Sequence, residues 1–177
     1  MTRIFPCLAG LLLSAIAFMA AAQELHAPQC LGPCPHDRLS GQADSTVIIV
    51  RDGYTVDADP ASKFARWVAY RVTVATIESK RPRIWAADPL LKESATLEPE
   101  DYQGAYATLG LDHGHLAPLA SLGAVSDWES LNYLSNIAPQ RSGLNRGPWR
   151  RLEQAERQLA RSGAAPAPRA GPPPAPR

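Results

Sequence analysis

The sequence predicts an α+β fold, with an antiparallel sheet first along the chain and a helix last. Residues 45–50 and 66–76 are rich in Val, Ile, Thr, Trp and Tyr and partly alternate between apolar and polar side chains, which is typical of strands. From Asn145 onward the apolar residues recur at helical spacing instead. We therefore expect a meander of strands followed by a helix.

The segments between these elements are predicted from turn residues and apolar runs. Asp52 and Gly53 mark a turn, after which residues 54–56 continue the first strand. Trp67 and Trp85 are expected in the core. The remaining elements are a basic loop or short strand at 80–85, a surface loop with a helical turn at 88–101, a helix at 104–111, an apolar segment entering the core at 116–122, a helical turn at 126–131 and an extended piece at 134–137.

The last helix is defined by its spacing and its ends. Pro148 is tolerated in a first turn, and Gly163 ends the helix. Glu153 and Arg157 are four residues apart and lie on a common side. The apolar residues that fall on one face are Trp149, Leu152, Ala155 and Leu159.

Residues 1–22 are typical of a secretory signal peptide. Arg3 gives a positive start, residues 8–19 are apolar, and residues 20–22 are small and suit cleavage after Ala22. A membrane anchor is the alternative, but the apolar run is shorter than the ~20 residues that a spanning helix needs. We expect a secreted or periplasmic domain at 23–161 that keeps no membrane attachment.

Removal of the signal peptide removes Cys7 and leaves Cys30 and Cys34. In an exported chain, two cysteines four residues apart among Gly and Pro indicate a small local disulfide. A metal-binding pair is the alternative, but no second pair of ligands lies nearby in the sequence. The bridge closes a tiny loop, so it would pin the N-terminal arm more than stabilise the domain.

Residues 162–177 are expected to form a disordered tail. From residue 164 onward the chain contains only Pro, Ala, Gly and Arg, which cannot bury a core. A frame-shifted or fragmentary gene would encode such a tail, and so would an evolved linker.

The charge of the chain is balanced overall but clustered locally. A formal net charge of +1 argues weakly against a nucleic-acid binder. Local clusters matter more than the total for contact with phosphate. Two such clusters are present, one at Lys80, Arg81 and Arg83, the other at Arg141, Arg146, Arg150, Arg151 and Arg157.

Two runs carry the groups of a hydrolytic site, LDHGHLAPLASL at 111–122 and NYLSNIAPQRSGLNRGPWRRLEQAER at 132–157. The first offers His115 beside Gly114, a glycine expected to let the backbone turn tightly and approach a ligand. The second offers Asn oxygens, carboxylates and arginines. A base, hard oxygen donors and cations are what metal-assisted hydrolysis of a phosphodiester requires.

In this order, the two runs resemble the paired signatures of the sugar-nonspecific DNA/RNA endonucleases, the ββα-metal (His-Me finger) group. The likeness covers roughly residues 30–159 and includes CLGPCP, IIVRDGYTV and RPRIWAADP. It implies a ββα-metal motif, Mg²⁺ with Mn²⁺ as the alternative, and cleavage of DNA and RNA that leaves 5′-phosphate ends. Members have a similar local disulfide.

The chain departs from the family pattern inside the motif and at its end. The family's Asp-Arg-Gly-His is Asp112-His113-Gly114-His115 here, so a histidine replaces an arginine. The likeness stops after Leu159, where the family domain continues with further strands, so we expect a domain truncated at the C-terminus.

The resemblance implies a role for each matching residue. His115 is the expected general base, because a neutral imidazole can accept a proton from water near neutral pH. Asn145 is the expected Mg²⁺ ligand, since this ion prefers oxygen and keeps several waters; a helix N-cap is the alternative. Glu153 would accept hydrogen bonds from metal-bound waters, or be an exposed carboxylate paired with Arg157 or Arg150.

Four further residues match family site positions. Asn132 is expected to orient His115, and Asn136 to support the water shell of the metal; turn formation is the alternative for both. Arg83 and Arg157 match arginines that contact phosphate, for which the guanidinium fork is suited. Arg157 is alternatively a solvated helix residue.

His113 is expected to act as a weaker, pH-dependent phosphate contact than the family arginine. His113 and His115 also form an H-x-H pair, which in a strand points both rings to one side and with Asp112 would suit zinc. The sequence therefore predicts a secreted Mg²⁺-dependent endonuclease, with an inactive nuclease-like fragment and a secreted zinc-binding module as alternatives.

Overall fold

The computed structural model describes residues 25–35 and 46–163. The predicted signal peptide and the predicted Pro-rich tail from residue 164 onward lie outside these residues. Within the two described stretches, no helix has the length and apolar character needed to cross a membrane.

Three antiparallel strands form the first sheet, in the order β1 (Val47–Val50), β2 (Tyr54–Asp59) and β3 (Phe64–Tyr70). The predicted turn at Asp52 and Gly53 closes the hairpin between β1 and β2, where the Arg51 amide donates to the Tyr54 carbonyl over 2.8 Å. The predicted meander is confirmed.

The strand predicted at 66–76 is too long at its C-terminal end. β3 stops at Tyr70, and residues Val74–Thr76 form a 3₁₀ turn. The Thr76 hydroxyl accepts a hydrogen bond from the Thr73 amide at 3.0 Å, which is a local alternative to sheet pairing. Thr73 and Thr76 therefore belong to a turn after the strand, although threonine has a high strand propensity.

The main core lies on one side of this sheet. Tyr54, Val56 and Val68 from the strands are fully buried with Leu116 and Leu122, so the apolar segment predicted at 116–122 enters the core as expected. Trp67 is only partly buried and packs on a second cluster beside the N-terminal arm. The expectation that Trp67 is a core residue is therefore met only in part.

A second, two-stranded antiparallel sheet pairs β4 (Leu111–His115) with β5 (Ile137–Arg141). It leads directly into a helical segment made of α3 (Ser142–Leu144), a π-type turn (Asn145–Trp149) and α4 (Arg150–Arg161); α1 (Ala105–Leu109) and α2 (Leu119–Leu122) come earlier. Two strands followed by a helix are the expected ββα arrangement, and the α+β class is confirmed.

Two connecting elements differ from their predictions. Residues Leu134–Asn136, expected to be extended, form a 3₁₀ turn before β5 begins. The helix expected at 104–111 is shorter, because Gly110 takes a positive φ of 66° and ends α1 before Leu111 starts β4. The other 3₁₀ turns are Glu93–Ala95, Pro99–Tyr102 and Trp128–Asn132.

The last helix has the predicted end, but its apolar face does not enter the core. Gly163 follows α4 with a φ of 72°. Leu152 and Leu159 are 43% and 45% exposed, whereas Glu156 is 2% exposed. The hydroxyl of Tyr70 donates to the carboxylate of Glu156 at 3.0 Å, so the side facing β3 is the polar one. Spacing predicted the helix correctly, but the apolar face is not the side that packs on β3.

The N-terminal arm is attached to the hairpin between β1 and β2. Cys30 and Cys34 form the predicted disulfide, with their Cα atoms 5.4 Å apart. The Gln29 amide donates to the Arg51 carbonyl at 3.0 Å and accepts from the Thr55 hydroxyl at 2.7 Å. These hydrogen bonds of Gln29, which were not predicted, fix the arm to the sheet beside the disulfide loop.

Candidate active site

A pocket of about 460 Å³ lies between β4 and the segment that begins the last helix. One wall comes from the end of β4 and the other from the π-type turn and the first turns of α4. The polar residues that line it include His115, Asn145, Glu153, Arg83, Arg146 and Arg150. The ββα motif therefore brings together residues far apart in the sequence.

His115 ends β4 and is 7% exposed. Its Nε2 lies 3.4 Å from the Oδ1 of Asn132, whose Nδ2 donates to the Pro82 carbonyl at 3.2 Å. Burial, helped by the charge of Arg83, lowers the pKa of His115 to about 4. The ring is therefore neutral at neutral pH and able to accept a proton, and Asn132 lies where it can orient it.

Trp149 ties the helical segment to the strand that carries His115. The indole Nε1 of Trp149 donates to the backbone carbonyl of His115 at 3.1 Å. This bond joins β4 to the π-type turn, in which Gly147 has a φ of −108° and a ψ of −107°. Such turns occur often at functional sites, and this one holds the two pocket walls together.

Asp112 organises the start of the helical segment. Its carboxylate accepts two hydrogen bonds from Arg146, at 2.7 and 2.8 Å, and one from the Nδ2 of Asn145 at 3.1 Å. The Arg146 hydrogen bonds lower the pKa of Asp112 to about 2. Asn145 has helical backbone angles and no capping bond, so it is not the N-cap that the sequence allowed as an alternative.

The geometry of Asn145 fits an oxygen-preferring cation. The Nδ2 of Asn145 donates to Asp112, so the side-chain carbonyl oxygen of Asn145 is its remaining polar atom in the pocket. Within the described ranges, no three His, Cys, Asp or Glu side chains are grouped to hold a metal, which argues against the alternative zinc site at His113 and His115. Mg²⁺ does not require such a group, because it keeps several waters.

Glu153 faces the pocket from α4 and is partly buried. Burial raises its pKa to about 7, while the charge of Arg157 opposes the rise. Arg157 itself donates to the Ser121 hydroxyl at 3.0 Å and lines a different groove. Glu153 is therefore not the exposed carboxylate of the alternative prediction, and Arg157 affects the pocket by charge rather than by lining it.

Asn136 does not reach the pocket. It is fully buried, and its amide accepts from the Ala117 amide at 2.8 Å and donates to the carbonyls of Ala117 and Leu131. The expected contact with the water shell of a metal is inconsistent with this burial. Asn136 instead fixes the loop that follows His115, which is the turn-forming alternative.

His113 is held between two aromatic rings. Its ring centroid lies 4.5 Å from that of Trp85 and 4.2 Å from that of Tyr102, with both pairs stacked. Burial lowers the pKa of His113. The residue lines the pocket as predicted, but as a mainly neutral ring near pH 7.

Gly114 has a different role from the one predicted. It lies within β4 opposite Ala138, without the positive φ of a tight turn. A Cβ added there would lie 2.3 Å from the side chain of Gln140, which is 6% exposed. Glycine is needed because Gln140 fills the space above it.

Three contributors were not identified as site residues from the sequence. Trp85, expected in the core, is a pocket wall, and Trp149 was placed only on an apolar helix face. Arg146 was counted only as a member of a cationic cluster. One signal could have indicated Trp85. Alternation along β4 places His113 and His115 on the same side of the strand, so a residue that packs on that side lines the pocket.

Comparison with known proteins agrees with this geometry. Residues 38–165 match the family model described as DNA/RNA non-specific endonuclease. The chain is 50% identical to the Nuclease of Serratia marcescens over 152 residues, which cover 86% of this chain and 54% of that protein. It is 32% identical to mitochondrial Endonuclease G of Homo sapiens over 124 residues, which cover 63% and 38% of the two chains.

A solved structure shares the fold. The crystal structure of the EndoG/EndoGI complex matches with a TM-score of 0.55 and 23% identity, over 64% of this chain and 48% of that one. The chain spans about half, or less, of the length of these relatives. The match nevertheless covers most of the present sequence and includes both arms of the pocket, so the chain belongs to the DNA/RNA non-specific endonuclease family.

Proposed function

We propose that this domain hydrolyses the phosphodiester bonds of DNA and RNA without sequence preference, in a reaction that depends on Mg²⁺. The observation that carries the proposal is the meeting of His115 and Asn145 in one pocket, from the strand and the helical segment of the ββα motif. A neutral base and an oxygen ligand lie there beside cationic side chains. This set matches the needs of phosphodiester hydrolysis.

His115 is the general base. Its neutral imidazole accepts the proton of the attacking water, and Asn132 holds the ring in place. The water oxygen forms a bond to phosphorus while the bond from phosphorus to the 3′ oxygen breaks, which leaves a 5′-phosphate end. Arg83 and Arg150 line the same pocket and supply positive charge for the phosphate.

The carbonyl oxygen of Asn145 would hold the metal, and the carboxylate of Glu153 would accept hydrogen bonds from its waters. When bound, Mg²⁺, or Mn²⁺ in its place, supplies positive charge that stabilises the transition state. Asp112 keeps Asn145 oriented by binding its amide, and Arg146 keeps Asp112 ionised.

Tolerance of both sugars follows from where the polar groups are. The pocket presents cations and an oxygen ligand, which recognise phosphate, and contacts with phosphate carry no sequence information. Discrimination between RNA and DNA needs a contact with the 2′-hydroxyl. Acting as a signal peptide, residues 1–22 would send the domain to the periplasm or the medium, where the Cys30–Cys34 disulfide persists.

The proposal is tested by cleavage of plasmid DNA and of RNA with Mg²⁺. We expect the purified protein to degrade both, EDTA to stop it, and His115→Ala to lose ~10²–10⁴-fold in rate. Asn145→Ala should need more Mg²⁺ for the same rate. His26→Ala, which changes an exposed histidine outside the pocket, is the matched control.

Two results would contradict the proposal. If His115→Ala cleaves at the rate of His26→Ala, His115 is not the base. If the folded wild-type protein cleaves neither nucleic acid with any divalent metal, the domain is an inactive relative of the nucleases.

A further inference from the structure

A second groove of about 310 Å³ adjoins the active-site pocket. Trp85 and His113 line both cavities, so the two are separated by no more than an aromatic wall. The other residues of this second groove are Pro99, Glu100, Tyr102 and Gln103. A nucleic-acid strand that places one phosphate in the active-site pocket therefore has the adjacent sugar and base at the mouth of the second groove.

The two cavities differ in charge. The active-site pocket is lined by Arg83, Arg146 and Arg150, which suit phosphate. The second groove has no Lys or Arg among its described lining residues, and its charged side chain is Glu100. A phosphate would be repelled there, whereas an uncharged group is acceptable.

The walls of the second groove suit a flat, mostly apolar ring with polar edges. Trp85, Pro99 and the Tyr102 ring are apolar surfaces, and Gln103 and Glu100 are exposed hydrogen-bonding groups. Ligand pockets commonly combine such walls with a few polar atoms. A volume of about 310 Å³ has room for one ring system rather than for a folded segment of chain.

Tyr102 forms one fixed wall of the second groove. Its ring is 7% exposed and stacks on His113, with the ring centroids 4.2 Å apart. The wall is therefore in place before a ligand binds, which lowers the cost of ordering it.

We propose that the second groove binds the nucleobase next to the cleaved phosphodiester bond, with Trp85, Pro99 and the Tyr102 ring along the base and the Glu100 carboxylate contacting its edge. The proposal rests on the proposed nuclease activity and adds a base subsite to it. Bases bind to apolar and aromatic walls through faces that every base shares, so such a subsite assists cleavage of any sequence. Contact of Glu100 with the base edge changes the relative cleavage rates beside different bases without setting a recognition sequence.

The first experiment uses an end-labelled single-stranded oligonucleotide with one abasic residue in its middle. The control is the same oligonucleotide with every base present. Compared bond by bond with this control, wild-type protein should cut distant bonds at the same rate, but cut one bond beside the abasic residue at least about fivefold more slowly. The same rate at every bond of the two oligonucleotides would refute the base subsite and leave the nuclease proposal intact. No cutting at any bond of either substrate would refute both.

The second experiment changes the edge contacts. Cytosine offers an amino donor where thymine has an acceptor oxygen, and a carboxylate accepts only from the donor. Glu100→Gln should therefore shift the ratio of cleavage beside cytosine to cleavage beside thymine by at least about twofold. Tyr102→Leu, which removes the aromatic wall but keeps an apolar side chain, should reduce the abasic effect. Glu93→Gln, an exposed carboxylate outside the groove, should change neither ratio.

The fold of each variant is checked by circular dichroism before cleavage is compared. Ratios within one digest are independent of the amount of active protein, so a partly unfolded sample does not imitate the effect. If Glu100→Gln and Tyr102→Leu both give the wild-type pattern of cleavage ratios, the groove does not contact a base.

Discussion

At the scale of single residues, His113 is where this chain departs from its family motif. The stacked positions of Trp85 and Tyr102 leave only the ring edge of His113 for the pocket. Burial lowers the pKa of His113 below its ordinary 6.5, so the ring carries little charge at neutral pH. The expected phosphate contact by a charged histidine therefore belongs to acid conditions.

We predict that His113→Arg increases the cleavage rate at pH 7 to 9. The arginine is cationic throughout and can stack between the same two rings. Because the pKa of His113 is lowered, the rate ratio of variant to wild type should stay constant above pH 6.5 and fall only at more acid pH, as His113 becomes charged. Plasmid cleavage from pH 5 to 9 with saturating Mg²⁺ measures the ratio.

His113→Gln is the matched control, because glutamine is neutral at every pH and should follow the wild type above pH 6.5. A rate ratio for His113→Arg that is the same at pH 5 and pH 8 would show that the charge at this position does not matter.

The family resemblance predicted five of the eleven residues that line the pocket, but not their surroundings. His115, Asn145, Glu153 and Arg83 were expected at the site, and all four line the pocket. Asn136 was expected there and is buried behind it. A motif reports which residue types recur, whereas the direction of a side chain depends on packing that the motif does not contain.

At the scale of elements, the pairing of β4 with β5 leaves no room for a side chain at Gly114, because the side chain of Gln140 occupies that space. We predict that Gly114→Ala lowers the free energy of unfolding by about 1–3 kcal/mol, because its Cβ would overlap buried Gln140. Urea denaturation followed by circular dichroism measures the loss.

Two further proteins make this prediction specific. Gly143→Ala adds the same methyl group in α3 with nothing within 4 Å, so it should not destabilise the domain. Adding Gln140→Ala to Gly114→Ala should restore part of the lost stability, because the overlapping atoms are gone. Equal effects of Gly114→Ala and Gly143→Ala would mean that the contact with Gln140 is unimportant.

Element ends were predicted only where a local signal marks them. Gly163 and the hairpin turn at Asp52 are such signals, and both are observed, whereas β3 and α1 end earlier than predicted. The buried side of α4 was not predicted, because apolar spacing contains no information on Tyr70 of β3, whose hydroxyl donates to Glu156. That contact joins residues 86 positions apart, and local pattern contains no information on it.

At the scale of the whole molecule, two pocket residues have pKa shifts of opposite sign. The pKa of His115 is lowered to about 4, so its contribution to stability is present above pH 6.5 and lost as the pH falls toward 4. The pKa of Glu153 is raised to about 7, so its contribution is present below pH 4.5 and lost as the pH rises through 7. In the metal-free protein, the stability contribution of His115 is therefore lost near pH 4, and that of Glu153 is lost above pH 7.

We predict that Glu153→Gln stabilises the metal-free protein at pH 8 and has little effect at pH 4. The expected gain in the free energy of unfolding at pH 8 is on the order of 1 kcal/mol, because the variant no longer buries an ionised carboxylate. Thermal unfolding in EDTA at both pH values measures it. Exposed Glu129, changed to Gln, is the control, and an equal gain at pH 4 and pH 8 would contradict the prediction.

The sequence predicted the fold class from its strand and helix patterns, and it predicted the ββα motif from the resemblance of two runs to a known family. It did not predict the second groove. That groove requires Trp85, Tyr102 and His113 to meet from three separate segments, and each residue alone looks like part of a core or a loop.

The stacking of Trp85 on His113 has a consequence for observing this protein in solution. A charged imidazole in contact with an indole ring quenches its fluorescence, and these two rings are parallel within 9°. Emission from Trp85, obtained by subtracting the spectrum of Trp85→Phe from that of the wild type with its four tryptophans, should therefore dim as His113 takes up a proton. The fluorescence of Trp85 would therefore report the protonation of His113, the residue at which the motif differs from the family.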